Sequence, residues 1–298
     1  HLWDLPHDKI YVKLQENFQK NIFLAAKSKN KNWGNLAKQI KCCQASLLNW
    51  AYSRNFVPFN ILVKIADITD TKLETIENHL FAVATGRMTR VNGKRGKPIY
   101  NTKFPLKLTP ELARITARFM GDGCIKINWY YDSIYYNKEE SLINAMKNDA
   151  AKVFGSMEIT ESIDENVKCI RFPSVVGLII TRMFGEVSTF KAVISNEILN
   201  GSDEIKTAFL AAYFDDEGTV GIKQPMVRYY TSNLQTRNSL TKMLQDFDIK
   251  VGTSTIKYFA RNHKNNKIYH VTITGKKNVL RFSDTIPFCH PEKRMKLL

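Results

Sequence analysis

Two nine-residue stretches constrain this chain more than anything else in it: ITARFMGDG at residues 115–123 and LAAYFDDEG at residues 210–218. Each reads as an apolar, small-residue helix that stops at an acid followed by Gly. The acids are Asp122 and Glu217, which sets a repeat interval of 95 residues. Acids are disfavoured at a helix C-terminus by the helix dipole, so two matched ones need a reason. A repeat of this size implies two similar half-domains, each with one carboxylate at the foot of one helix. Paired carboxylates meeting at a pseudo-twofold axis are what a two-metal phosphodiester hydrolase requires.

The flanking sequence supports the duplication. Thr109 suits an N-cap, Pro110 the first helical position and Glu111 the positive end of the dipole. Strand-like runs follow at CIKINWYY and SIYYN, then a helix from Glu140 to Phe154. MEITESI and VKCIRF come next, then the helical VVGLIITRMF. The second copy repeats the order: a helix capped by Ser202, strands near TVGIK and MVRYYTS, a helix from Leu234, strands TSTIKYFAR and KIYHVTITG, and the helix KNVLRFSDTI. The fold class is α+β, with two αββαββα half-domains over residues 108–200 and 201–298. Small side chains at Ala113, Ala117 and Gly121, facing Ala208, Ala211 and Ala212, would let the two motif helices pack at short interaxial distance.

Charge narrows the partner. The chain has 44 Lys and Arg against 28 Asp and Glu, a formal charge of +16 over 298 residues. Such an excess favours a polyanion, most often nucleic acid. Five scattered cysteines without zinc or CxxC spacing point to reduced thiols and a cytoplasmic or organellar-matrix setting. No apolar run is long enough to span a membrane, so no membrane partner is expected. Residues 86–107 carry Arg87, Arg90, Lys94, Arg95, Lys97, Lys103 and Lys107 without an acid, and Gly and Pro interrupt any long element there. They read as a basic linker lying along a phosphate backbone.

Residues 1–85 carry helical patterns and few strand signals, and are expected to form an all-α domain. WGNLAKQIK reads as a helix, CCQ as a tight turn and ASLLNWAYS as a second helix, with FNILVKIADI beyond. Leu36, Ala37, Ile40, Leu47 and Trp50 fall where a helix-turn-helix packs its two helices. The stretch resembles the helix-turn-helix of phage-repressor-like regulators, which would turn Gln44, Ser46, Asn49 and Arg54 toward DNA; a helical bundle with a solvated polar face is the alternative.

With these residues in view, the chain resembles the LAGLIDADG homing endonucleases of the single-chain, two-motif type, over roughly residues 104–298. FPLKLTPELA, the GDG that ends the first motif, FDDEG, Tyr136–Asn137 and Ser232–Asn233 after each motif, and the closing PFCHPEKRMKL carry the resemblance. It implies two half-domains forming a saddle on DNA and a monomer acting on a long, asymmetric duplex site. The implied reaction is divalent-metal-dependent hydrolysis leaving a staggered double-strand break across the minor groove. Mg²⁺ would be the metal, Mn²⁺ a substitute, and Ca²⁺ a support for binding without cleavage.

Asp122 and Glu217 would be the metal ligands, joined at the metal site by Gly121 and Asp216; Asp215 reads as a cap or supporting group. Lys293 matches the family's late basic position, and Lys191 is its first-half counterpart. The strands would read bases through interleaved polar and aromatic residues, among them Lys126, Asn128, Tyr130, Tyr135, Lys223, Arg228, Tyr230, Lys257 and Arg261. Alternation lets only about half of these face DNA. The motifs also depart from the pattern: Met120 stands where the second motif has Asp215, and Gly121 faces the bulkier Asp216. A scaffold retained as a non-cleaving RNA maturase or DNA-binding regulator is the alternative, which the two retained acids disfavour.

Overall fold

The computed structural model describes residues 1–86, 97–127, 131–187, 192–221, 225–260 and 263–297, with the side chains of 257–260 and 263–266 outside the description. The duplication is realised in both halves. Helix Pro110–Met120 leads into strands Gly123–Ile127 and Tyr131–Asn137, helix Glu140–Phe154, strands Thr160–Asp164 and Val167–Phe172, and helix Ser174–Phe184. Helix Asp203–Glu217 leads into strands Gly218–Gly221 and Met226–Thr231, helix Leu234–Gln245, strands Gly252–Ala260 and His263–Thr274, and helix Lys276–Thr285. Both four-stranded sheets are antiparallel with the same spatial order of strands: first, second, fourth, third. The register is matched too, because Gly123 lies opposite Tyr135 and Gly218 opposite Tyr229.

Local chemistry explains the helix starts. The Thr109 hydroxyl accepts from Leu112 N at 3.3 Å and Pro110 opens the helix. Ser202 occupies the N-cap of the second motif helix, but its side chain makes no capping bond; Asp203 and Glu204 in the first turn complement the dipole there instead. The two motif helices pack on each other with Ala113, Ala117, Ala208, Ala211 and Ala212 buried. Gly121 is needed at their closest approach, since a Cβ there would lie 2.9 Å from the Cβ of Asp216.

The N-terminal region contains the expected helix-turn-helix pair, Trp33–Ile40 and Gln44–Ala51, followed by helix Phe59–Thr69. Asn32 caps the first helix and Cys43 the second, while Leu36, Ala37, Ile40 and Leu47 are buried between them. The expectation of an all-α domain needs correcting. Residues Ile10–Leu14, Val57–Pro58 and Leu80–Thr85 are strands. The first of these alternates buried and half-buried positions, the two-residue period of a strand, which the surrounding helical patterns mask. They share a five-stranded sheet with Ile99–Tyr100 from the basic stretch and Ser156–Met157 from the first half-domain. MEITESI is therefore divided, its start pairing with the N-terminal sheet and its remainder with the first half's own.

Candidate active site at the foot of the helix pair

The second motif helix ends in three consecutive acids that point three ways. Asp215 is buried and accepts from Cys289 N and His290 N, both at 2.9 Å, so it ties down the turn before the C-terminal helix Pro291–Leu297. Asp216 turns across the helix pair. Its Oδ1 accepts from the Tyr135 hydroxyl at 2.7 Å and lies 3.7 Å from Arg118, and its side chain has no exposed surface. Glu217 is left half-buried, with no hydrogen bond among the described residues.

Asp122 meets Glu217 from the first helix. Its Oδ2 accepts from Asn137 Nδ2 at 3.0 Å, and it is accessible from the cleft that it lines with Asn137, Asp216, His290 and Lys293. The surrounding protein nevertheless raises its pKa above the ordinary carboxylate value, against the pull of Lys293 and Arg118. Glu217 is pushed further, to about 7, first by burial and then by the charge of Asp122. Asp216 is raised well above the usual range by its burial, opposed by Arg118. Four carboxylates thus converge on two cations.

Those cations are placed differently. Lys293, on the C-terminal helix, donates to the carbonyls of Phe214 at 3.2 Å and Asp216 at 3.3 Å, and to that of Asp215 between them. An ammonium on the free carbonyls of a helix end satisfies them and offsets the negative dipole. Burial lowers its pKa while Asp215, Asp216, Asp122 and Glu217 hold it up. Arg118 lies within the helix pair with no exposed surface, 3.3 Å from the Tyr135 hydroxyl and 3.9 Å from Asp215 Oδ2. Its Nε and one terminal nitrogen have no hydrogen-bond partner among the described residues, so the electrostatic attraction to Asp215 and Asp216 is its main compensation.

Of the anticipated residues, the structure brings together Asp122, Glu217, Asp216, Gly121 and Lys293. Gly121 could offer only its backbone. Asp216, anticipated among the metal ligands, has a side chain without exposed surface, its Oδ1 held by Tyr135 and its carbonyl by Lys293, which leaves Asp122 and Glu217 as the accessible carboxylates. On the strands, Lys126 is exposed, and Arg228 donates to the Tyr230 hydroxyl at 3.1 Å on one face of its strand. Tyr135, anticipated among the base-reading positions, is instead fully buried; it sits opposite the motif Gly and packs inward. In the N-terminal helix pair Gln44 and Arg54 are exposed, Asn49 is half-buried, and the Ser46 hydroxyl lies 3.0 Å from Cys43 Sγ. Arg87, Arg90, Lys94, Arg95, Asn128, Tyr130, Lys191, Lys223, Arg261 and the side chain of Lys257 lie outside the described residues.

Residues 204–287 match the family model of the LAGLIDADG-like domain. The second half of the chain thus carries a LAGLIDADG-like domain. The LAGLIDADG match covers the second half, and the first half has the same strand order and motif register. The homing endonuclease I-DmoI, in a structure with DNA and Mn, is similar at 15% identity and a TM-score of 0.46, over 60% of this chain and 97% of that one. Full-length DUF199/WhiA from Thermatoga maritima is similar at 14% identity and a TM-score of 0.44, over 66% of this chain and 62% of that one. The probable translation initiation factor IF-2 of Methanocaldococcus jannaschii is 25% identical over 196 residues, which are 63% of this chain. The chain spans only 16% of that relative's length.

Two participants in the site escaped the sequence reading: Arg118 as a buried counter-charge, and Asn137 as the partner of Asp122. The signal for Arg118 was available, as the lone charge between small and apolar residues on a helix face meant for close packing. Asn137 was noted only as a motif companion of Asn233. The two act differently, since Asn233 caps its helix and donates to the Ala192 carbonyl at 2.7 Å.

Proposed function

We propose that this chain is a site-specific double-strand DNA endonuclease that hydrolyses one phosphodiester on each strand with a divalent cation, leaving a staggered cut. The observation that carries this is the meeting of Asp122 and Glu217, one from each motif helix, with the Glu217 pKa raised to about 7 by burial and by its partner. Two accessible carboxylates that repel each other suit a hard divalent cation, and their oxygens match the ligand preference of Mg²⁺, Mn²⁺ or Ca²⁺. When bound, such an ion supplies charge stabilisation at the phosphate and a more acidic water. Asp122 and Glu217 would hold it, with Gly121 contributing its backbone. Lys293 holds the helix end rigid and adds positive charge beside the reacting phosphates. The partner is duplex DNA with a long, asymmetric site, bound by a monomer, and the basic strand residues Lys126 and Arg228 contact it.

A regulator or maturase that binds without cutting is a second reading, favoured by Asp216, whose carboxylate is turned into the helix pair and held by Tyr135 instead of facing the cleft. Selecting duplexes from a randomised library in Ca²⁺ and then adding Mg²⁺ tests both. Staggered cutting of the enriched site supports the endonuclease; enrichment without cutting supports the second reading.

A further inference from the structure

The positive charge of the chain is unevenly spread. Residues 201–298 carry 16 Lys and Arg against 9 Asp and Glu, but residues 108–200 carry only 10 against 12, and residues 1–107 carry 18 against 7. The first half's basic residues are also largely spent internally. Arg171 pairs with Asp132 at 2.8 Å, and Lys168 with Glu140 at 2.9 Å and Glu161 at 3.1 Å. On the second sheet, Arg228 and Lys267 pair with no acid among the described residues. A half-domain near charge neutrality is poorly equipped to neutralise phosphates by itself.

The N-terminal region is built onto that same half. Ile99–Tyr100 pairs on one side with Val83 and Ala82 and on the other with Met157 and Ser156, so one sheet runs through both. Helix Ser174–Phe184 packs against strand Leu80–Thr85, and Arg182 donates to the Asp4 carbonyl at 2.9 Å. Thr102 donates to the Phe154 carbonyl at 2.6 Å. Gly155 lies so near the Tyr100 carbonyl that a Cβ would meet it at 2.1 Å. The junction is a shared sheet rather than a tether.

Its location follows from the register. Strand Gly123–Ile127 starts beside the motif acid and runs away from it, Gly123 opposite Tyr135 and Ile127 opposite Tyr131, roughly 13 Å at strand rise. Lys9 lies 5.9 Å from the Tyr131 ring centre. Lys97 donates to Thr160 at 2.9 Å, and Thr160 pairs with Arg171 near the same outer end. The N-terminal region therefore sits at the outer edge of the first sheet, farthest from the paired acids.

We infer that residues 1–107 are a fixed extension of the first half-domain that binds duplex DNA on the outer flank of that half's site and supplies the phosphate contacts its own sheet lacks. The inference rests on the DNA-binding reading above. The exposed Gln44 and Arg54 of the helix-turn-helix are the side chains that test it. Phosphate-ethylation interference is mapped for the full chain in Ca²⁺ on the duplex it selects from a randomised library. Lys126→Ala marks the phosphates of the first half-site and Arg228→Ala those of the second.

Arg54→Ala is expected to abolish interference at phosphates immediately outside the first set, and to lower the salt slope of log K by about one. Gln44→Ala is expected to weaken binding only for duplexes that keep that flank. Both replace exposed side chains, and an unchanged thermal midpoint confirms folding. Interference that disappears beyond the second half-site instead, or an unchanged map and slope, overturns the inference. A folded chain that selects no duplex overturns the DNA-binding reading itself, an outcome distinct from selection with an unchanged map.

Discussion

The two halves share one topology but hold their acids in unlike ways. In the first half, Asp122 is tied to Asn137, which also lies 3.1 Å from the Tyr135 hydroxyl; Tyr135 bonds Asp216 and touches Arg118. This network crosses the pseudo-twofold axis and ends on a buried guanidinium. In the second half nothing comparable supports Glu217 among the described residues, and Tyr229, opposite the second motif Gly, has a buried hydroxyl without a hydrogen-bond partner among them. Duplication therefore preserved the backbone and the acid while the polar support became one-sided. Matched folds do not imply matched half-sites.

The sharpest way to break the comparison is to remove each acid in turn. Asp122→Asn and Glu217→Gln should each lower single-turnover cleavage by at least about a thousandfold, roughly 4 kcal/mol of transition-state stabilisation, while binding in Ca²⁺ measured by gel shift is retained. Cutting at the normal rate by either variant would show that its carboxylate is not at the reaction. Next in size is the axis charge. Arg118→Leu leaves Asp215 and Asp216 buried without the guanidinium inside the helix pair, Lys293 remaining at the helix end, and should cost about 3–5 kcal/mol in urea denaturation. Adding Asp216→Asn should recover part of that loss. Equal stability of Arg118→Leu and the parent would mean that the axis carboxylates are already neutral.

Much of this was legible beforehand because backbone pattern and small-residue spacing are local properties. The motif acids, the αββαββα order and the helix-turn-helix pair all follow from periodicity and caps. The N-terminal strands were not legible, because IYVKL alternates over only five residues among helical patterns and LFAVAT is nearly all buried and shows no alternation. The buried network was missed for a different reason. Arg118, Tyr135 and Asp216 are far apart in sequence, and only tertiary packing shows that a tyrosine offered to DNA faces inward. Side-chain direction on a strand depends on register, which one sequence does not fix.

Titration should separate the two acids by a smaller margin. Glu217 binds its proton more tightly folded, with a pKa near 7, than unfolded, near the ordinary 4.5. Its contribution to stability is therefore fully present below about pH 4.5 and is lost as pH rises through 7. Cation-free protein should become less stable over that window, and Glu217→Gln should flatten the dependence. A divalent cation competes with that proton, so calorimetry at pH 6.5 should record proton release on Mn²⁺ binding by the parent, and less by the variant. Release of equal size from both would assign the titration to another group, such as Asp216.

The smallest expected effect bears most directly on the one-sided support. Asn137→Ala removes the only hydrogen bond that the Asp122 carboxylate receives among the described residues and leaves Glu217 untouched. If Asn137 acts by orienting Asp122, cleavage of one strand should slow about tenfold, near 1.4 kcal/mol, while the other strand keeps its rate. A supercoiled substrate would then pass through a nicked intermediate that accumulates in the variant and not in the parent. Asn137→Gln, which retains the amide on a longer stem, should restore part of the lost rate. Equal slowing of both strands would mean that the network around Tyr135 and Asp216 supports the axis as a whole, and that the asymmetry of hydrogen bonding has no counterpart in the chemistry.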